Sequence, residues 1–404
     1  MSTSHSVNRL PRGITPFVTV RFFGFLADQG STFVIPLAVY SVTASTTLSG
    51  IAFTIQWLPR IVLSPFFGTF VDRFPSLPQL VSSDLVRTIV LLVVLIEPEA
   101  WTLIASCGVL AIANGYSSIV TEQVVGTAVN EDKFAQAQSQ QQMAFQTAMV
   151  AGPALGSWAL GLLSLRGALL FFALTSILAL LATPLVLSAV GHPQVTGGEA
   201  GPWERLRDGG RTLFQGRQLP LLMAITILVN LTGGMALATL PPIVVGQLGG
   251  GAASAGTVAG TAAAVSLTSA ALCSWGTRAT DIGRMVAVAG VILAVAAVTM
   301  SIASSLILFA IGYSLWAGGL VVFTIWMRTR RLELINPQKV GTTLGFFVAV
   351  ILVATPLSGL LLTLLGDKVG AQSLLQWTAL VSAALVVPLL VQWKRVHRSQ
   401  VPNR

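Results

Sequence analysis

Asp28 and Arg60 are the residues of this 404-residue chain whose chemistry least fits their surroundings. Asp28 sits about midway along an apolar run that begins near Thr15, and Arg60 lies inside the next run. A charge in such a run costs roughly 2.5–3.5 kcal/mol on insertion scales unless it is paired or wetted, so embedded ionisable groups mark pathways for ions or solutes. The two runs read in opposite directions from one short connection, which places Asp28 and Arg60 at comparable depth. They are expected to pair, and a solute that competes for Arg60 would leave Asp28 to take up a proton. The competing reading is a permanent ion pair that only joins two helices. Glu122 and Asp84 are the next candidates for a proton-carrying carboxylate. Arg21, two turns ahead of Asp28 on roughly the same face, is either a solute contact or a side chain that snorkels to the nearer membrane surface.

Amides and hydroxyls form a second layer of candidates. Gln138, Gln142 and Gln146 recur every fourth residue in FAQAQSQQQMAFQ, so on a helix they make one polar stripe, with Gln141 beside them. Amides both donate and accept, which suits an oxygen-rich solute. Asn114, Ser117, Ser118 and Thr121 form a comparable stripe leading toward Glu122, with hydrogen bonding between helices as the alternative. Asn230 and Thr232 stand next to Gly233 and Gly234, where a helix can bend or let a solute approach. Trp316, with Tyr313 and Trp326, gives its segment an aromatic side, a solute platform in one reading and packing in the other.

These residues need elements to hold them, and composition names the kind. Hydrophobic residues make up 54% of the chain and charged ones 9%, too few charges for a protein whose main solvent is water. Apolar runs recur over residues 16–40, 46–70, 79–96, 100–127, 134–163, 167–190, 218–245, 253–276, 284–303, 305–327, 340–365 and 371–393. Each is near the roughly 20 residues a helix needs to cross a bilayer and too long for a barrel strand. The reading is an all-α membrane protein with twelve spans and both termini on one side. Arg9, Arg73, Arg205, Arg278, Arg328 and Lys394 typify the many cations in loops on that side, against Arg166 and Lys368 on the other. The positive-inside rule then puts the termini in the cytoplasm. It also accounts for the net charge of +9 without nucleic-acid binding.

Cys107 and Cys273 lie in separate apolar runs, and His5, His192 and His397 fall outside the runs, so neither a disulfide framework nor a metal site is indicated. The first run carries Asp28 and lacks a small-residue cleavage site, so it reads as a retained span rather than a signal peptide. The longest polar interval divides the chain into a six-span half (1–190), a linker (191–217) and a second six-span half (218–404). Within the linker, WERLRDGGRTLF reads as a short amphipathic helix at the membrane surface. VAGPALG from Val150 and VATPLSG from Val353 repeat a Pro-to-Gly spacing in corresponding spans, as internal transporter repeats do. No phosphate loop, nucleophile–base pair or cofactor motif is present, so neither an enzyme nor an ATP-driven pump is indicated.

The connection after the second span, GTFVDRFPSLPQL, resembles the G-x-x-x-D-R signature of the major facilitator superfamily through Gly68, Asp72 and Arg73; it departs at Phe74 and Pro75, and the distal basic pair is missing. SSDLVRTIVLL carries a D-x-x-R pattern on Asp84 and Arg87, and span one ends on Pro36, Tyr40 and Thr43; both are similar to the enterobactin-exporter branch. The resemblance implies two pseudo-symmetric six-helix halves. It also implies a gating latch at the cytoplasmic mouth made of Asp72, Arg73, Asp84 and Arg87. The function implied is a monomeric, proton-coupled exporter of a siderophore or similar polar small molecule in a bacterial inner membrane. Alternatives are a ferroportin-like divalent metal exporter, a multidrug efflux pump and a membrane sensor that transports nothing.

Overall fold

Lipid offers the backbone no hydrogen bonds, so a spanning chain must satisfy its amides within helices. The computed structural model describes residues 13–71, 74–127, 131–187, 202–276, 282–335 and 340–400, and it is helical throughout its spans. In order these are α1 (Ile14–Thr43), α2 (Thr46–Val71), α3 (Ser76–Ile96), α4 (Ala100–Thr127) and α5 (Glu131–Leu187), then α6 (Pro202–Leu213). There follow α7 (Gln218–Pro241), α8 (Ala252–Gly276), α9 (Ile282–Ser301), α10 (Leu306–Leu334), α11 (Val340–Leu352), α12 (Ala354–Val369) and α13 (Ala371–Gln400). Length and apolarity qualify nine stretches among the described residues as membrane crossings.

The 52-residue stretch Gln136–Leu187 is far too long for one crossing, since a helix needs about 20 residues for it. It turns back at Ser164, whose φ of 74° is outside the helical region. Gly167 makes that reversal possible, because a Cβ there would lie 2.3 Å from the Leu163 Cβ. The two arms of α5 therefore correspond to the spans expected over 134–163 and 167–190. The eleventh expected span is divided into α11 and α12 at Val353, three residues ahead of Pro356. A prolyl nitrogen cannot complete the ladder at that point. Farther along α7, Pro241 and Pro242 open a π turn over Pro242–Gln247.

The helix α6 is the amphipathic segment read from the linker. Pro202 opens it, Glu204 occupies its first turn and Arg211 its last, each complementing the helix dipole. Leu213 is fully buried while Arg207 and Asp208 face outward, and Gly210 lets α6 approach the Phe346 ring of α11.

Apolar packing follows the two sets of helices. Leu26, Val34, Leu91 and Phe172 belong to a core within α1–α5, and Ile225, Met235, Phe309 and Trp326 to one centred on α7–α13 that also takes in Leu37 of α1, Phe53 of α2 and Leu213 of α6. Between the sets, α2 packs on α12 and α5 on α8. These approaches need small residues. A Cβ on Gly50 would fall 2.7 Å from the Thr363 backbone nitrogen, one on Gly256 would overlap Ser157, and one on Gly246 would overlap the Tyr40 hydroxyl. Thr47 donates to Asp367 across the same seam at 2.5 Å. All four contacts lie toward the ends of the helices away from the chain termini, so the sets are closed together at that end.

Candidate functional site

The site is a buried polar chain through the interior of the first set. It begins at Arg21 on α1, which is fully buried and therefore does not snorkel. Its guanidinium donates to the Asp84 carboxylate at 2.7 Å and to the Ser117 hydroxyl at 2.6 Å, and approaches Thr183 at 3.4 Å. Asp84 also accepts from Thr183 at 3.2 Å and from Arg87 at 2.8 Å. The D-x-x-R spacing sets Asp84 and Arg87 on one face of α3, within reach of each other. One carboxylate thus holds two guanidinium groups, an arrangement in which charge-assisted bonds offset desolvation.

From Arg87 the chain continues through an amide. Arg87 Nε donates to the Asn114 carbonyl oxygen at 2.6 Å, and the Asn114 amide nitrogen donates to Asp28 at 2.6 Å. Asn114 can meet a donor on one side and an acceptor on the other only in this orientation. Asp28 accepts further bonds from Gln29 at 3.1 Å and Thr32 at 3.3 Å. Arg21, Asp84, Arg87 and Asp28 carry two positive and two negative charges when ionised, so the chain is neutral as a whole. Gly24 gives it room, because a Cβ there would sit 3.1 Å from an Arg21 nitrogen and 3.2 Å from an Arg87 nitrogen.

Asp28 ends the chain at a cavity of about 30 Å³, which Gln29, Thr32, Gln56, Arg60 and Asn114 also line. Such a space holds water rather than a solute. Arg60 therefore shares a cavity with Asp28 as depth suggested, but no ion pair joins them; Asn114 takes the carboxylate instead. The Arg60 stem lies along α4, with its Cγ 2.8 Å from where a Gly115 Cβ would stand.

The other sequence candidates are dispersed. Asp84 and Arg87 were expected at the mouth as gating residues and are instead inside the bundle, because α3 begins at Ser76 and carries Asp84 two turns inward. Asp72 and Arg73 lie outside the described residues. Glu122, Gln142 and Gln146 are exposed and Gln138 is half-buried, away from the Asp28 chain. The Asn230 amide is used on the Ile351 carbonyl at 3.0 Å, beside the break between α11 and α12. Trp316 is buried in the second set, beside a different cavity. Sequence reasoning missed Thr183 and Gly24. A small residue between two ionisable positions on α1 was the available signal for Gly24; Thr183 offered none, since isolated threonines are common in spans.

A sequence profile of the Major Facilitator Superfamily matches residues 17–351. No curated protein matches the chain in sequence. Among solved structures, it is similar to a POT family transporter in complex with a thioalcohol conjugated peptide. That match has a TM-score of 0.76 at 11% identity and covers 95% of this chain and 96% of that one. A POT family transporter in complex with 5-aminolevulinic acid superposes with a TM-score of 0.78 at 12% identity, covering 96% and 97%. With the profile spanning most of its length and the helix arrangement shared with transporters, the chain belongs to the Major Facilitator Superfamily, a family of membrane transporters rather than enzymes.

Proposed function

We propose that this transporter is a proton-coupled exporter of a small polar, anionic solute, a siderophore-like chelator being the favoured class, in a bacterial inner membrane with both termini cytoplasmic. The observation that carries this reading is the neutral buried chain from Arg21 to Asp28, which ends in a cavity shared with a cation, Arg60, that Asp28 does not neutralise. An anionic solute arriving from the cytoplasm binds at Arg60 once the surrounding helices part, since the cavity as it stands has room for water only. Asp28, held by Asn114 rather than by a cation, takes a proton when the cavity opens to the opposite side and releases it inward on return. The closed seam at the end away from the termini supports a state open toward the cytoplasm. There the exposed Gln142 and Gln146 offer amides to an oxygen-rich solute. The peptide conjugate and 5-aminolevulinic acid held by the two similar structures are likewise small and polar.

Metabolite profiling of a deletion strain under iron limitation identifies the cargo as the compound that accumulates inside and disappears from the medium. In reconstituted vesicles, Asp28→Asn then abolishes uphill export driven by a pH gradient and retains downhill exchange of that compound. An Asn variant that still concentrates solute with unchanged pH dependence makes Asp28 structural.

A further inference from the structure

The second set carries a half-open cavity of about 360 Å³ between α7, α9, α10 and α13, with Ala287, Gly290, Ala294 and Ala383 of its lining exposed. Its volume exceeds the roughly 150 Å³ apolar cavity that takes up benzene, so it has room for several methylene groups of a chain. Its origin is legible on α9, where Ala287, Gly290, Ala294 and Ala297 fall on one face and leave the space before Trp316 and Phe323 unfilled. The polar groups of its wall are already engaged. The Thr232 hydroxyl donates to that of Ser382 at 2.8 Å, and Ser382 bonds the Leu228 carbonyl at 3.1 Å. Trp316 Nε1, close over Gly233, has no hydrogen-bond partner among the described residues. The wall therefore offers a polar solute one N–H and an apolar ligand nearly everything else.

The mouth identifies the source of that ligand. Val291 on α9 and Val387 on α13 line the cavity while 64% and 62% exposed. Helix α9 packs chiefly against α10 and α13, at the edge of the bundle, so the surface it exposes faces lipid rather than the interface between the two sets. The cavity opens where alkyl chains are the solvent.

We propose that this cavity is a lateral binding site for an alkyl chain, occupied by an acyl tail of a bilayer lipid that enters between α9 and α13 and rests against Trp316. The site is separate from the polar chain of the first set and holds whether or not Asp28 couples protons.

The test uses the full-length protein in phosphatidylcholine vesicles whose acyl chains are brominated near their ends. The Trp316 share of tryptophan emission is taken as the difference from Trp316→Phe, in a background in which the exposed Trp101, Trp158 and Trp377 are Phe. Bromine quenches most of the Trp316 share, and Ala294→Leu, which fills the cavity, restores it; Ala294→Val is the smaller filling variant where Leu prevents folding. Trp316 emission that stays bright in brominated vesicles overturns the proposal. So does quenching that is equal in the open and filled proteins, since the bromine then acts from outside the cavity.

Discussion

The interior between α1, α3, α4 and the second arm of α5 has a counterpart between α7, α9, α10 and α13, with the same helix arrangement and opposite contents. In the first, two arginines, two aspartates and an asparagine bond one another with little space left. In the second, Thr232 and Ser382 bond each other beside a large apolar void. The second set shows that this packing of helices does not require charge at its centre. Replacing a buried ion pair by apolar groups is often neutral or stabilising, so the charges in the first set are not explained by stability. Their retention there fits the proposed coupling role, and the void fits an alkyl ligand.

The comparison breaks most sharply at Asp84. Changing it to Ala leaves Arg21 and Arg87 buried without their shared anion, and removing one partner of a buried pair destabilises by about 3–5 kcal/mol. Denaturant unfolding in detergent should show a loss of that order, and a loss below about 1 kcal/mol would mean that water or a rearranged Asp28 replaces Asp84.

Two glycines sharpen the contrast by sign. In a helix interior Gly→Ala by itself stabilises by roughly 0.5–1 kcal/mol. At Gly290, where nothing lies within 4 Å of an added Cβ, that gain should appear in full. At Gly24 the new methyl presses on both guanidinium groups, and overpacking costs about 1–3 kcal/mol, so Gly24→Ala should lower the unfolding midpoint while Gly290→Ala raises it. Equal shifts in both would show that the polar chain yields as easily as empty space.

The smallest effect belongs to the polar pair of the second set. Thr232→Val combined with Ser382→Ala removes donor and acceptor together, which is nearly neutral when shape is kept. A stability change within about 0.5 kcal/mol is expected, and each single substitution should cost no more than about 1 kcal/mol, because Ser382 keeps the Leu228 carbonyl and Thr232 reaches the same carbonyl. A large loss in the double variant would give this pair a role comparable to that of the buried chain.

The sequence by itself determined the solvent, the crossings and the depth of each polar residue. Twenty-residue apolar runs leave a chain in lipid no alternative to helices, and the fixed rise per residue converts position along a run into depth. That is why the reversal near Ser164, the surface helix at Pro202–Leu213 and the shared level of Asp28 and Arg60 could all be read in advance. Tertiary structure alone decided which faces meet at a given depth. Arg21 finds Asp84 across 63 positions, and Asn114 rather than Arg60 reaches Asp28. Partnership depends on the rotation and approach of several helices at once, set by residues such as Gly24 and Gly115 that carry no charge. The void in the second set was illegible for the same reason. Alanines at Ala287, Ala294 and Ala297 mean close packing if a neighbour moves in and a cavity if it does not, and only the positions of α7, α10 and α13 settle which.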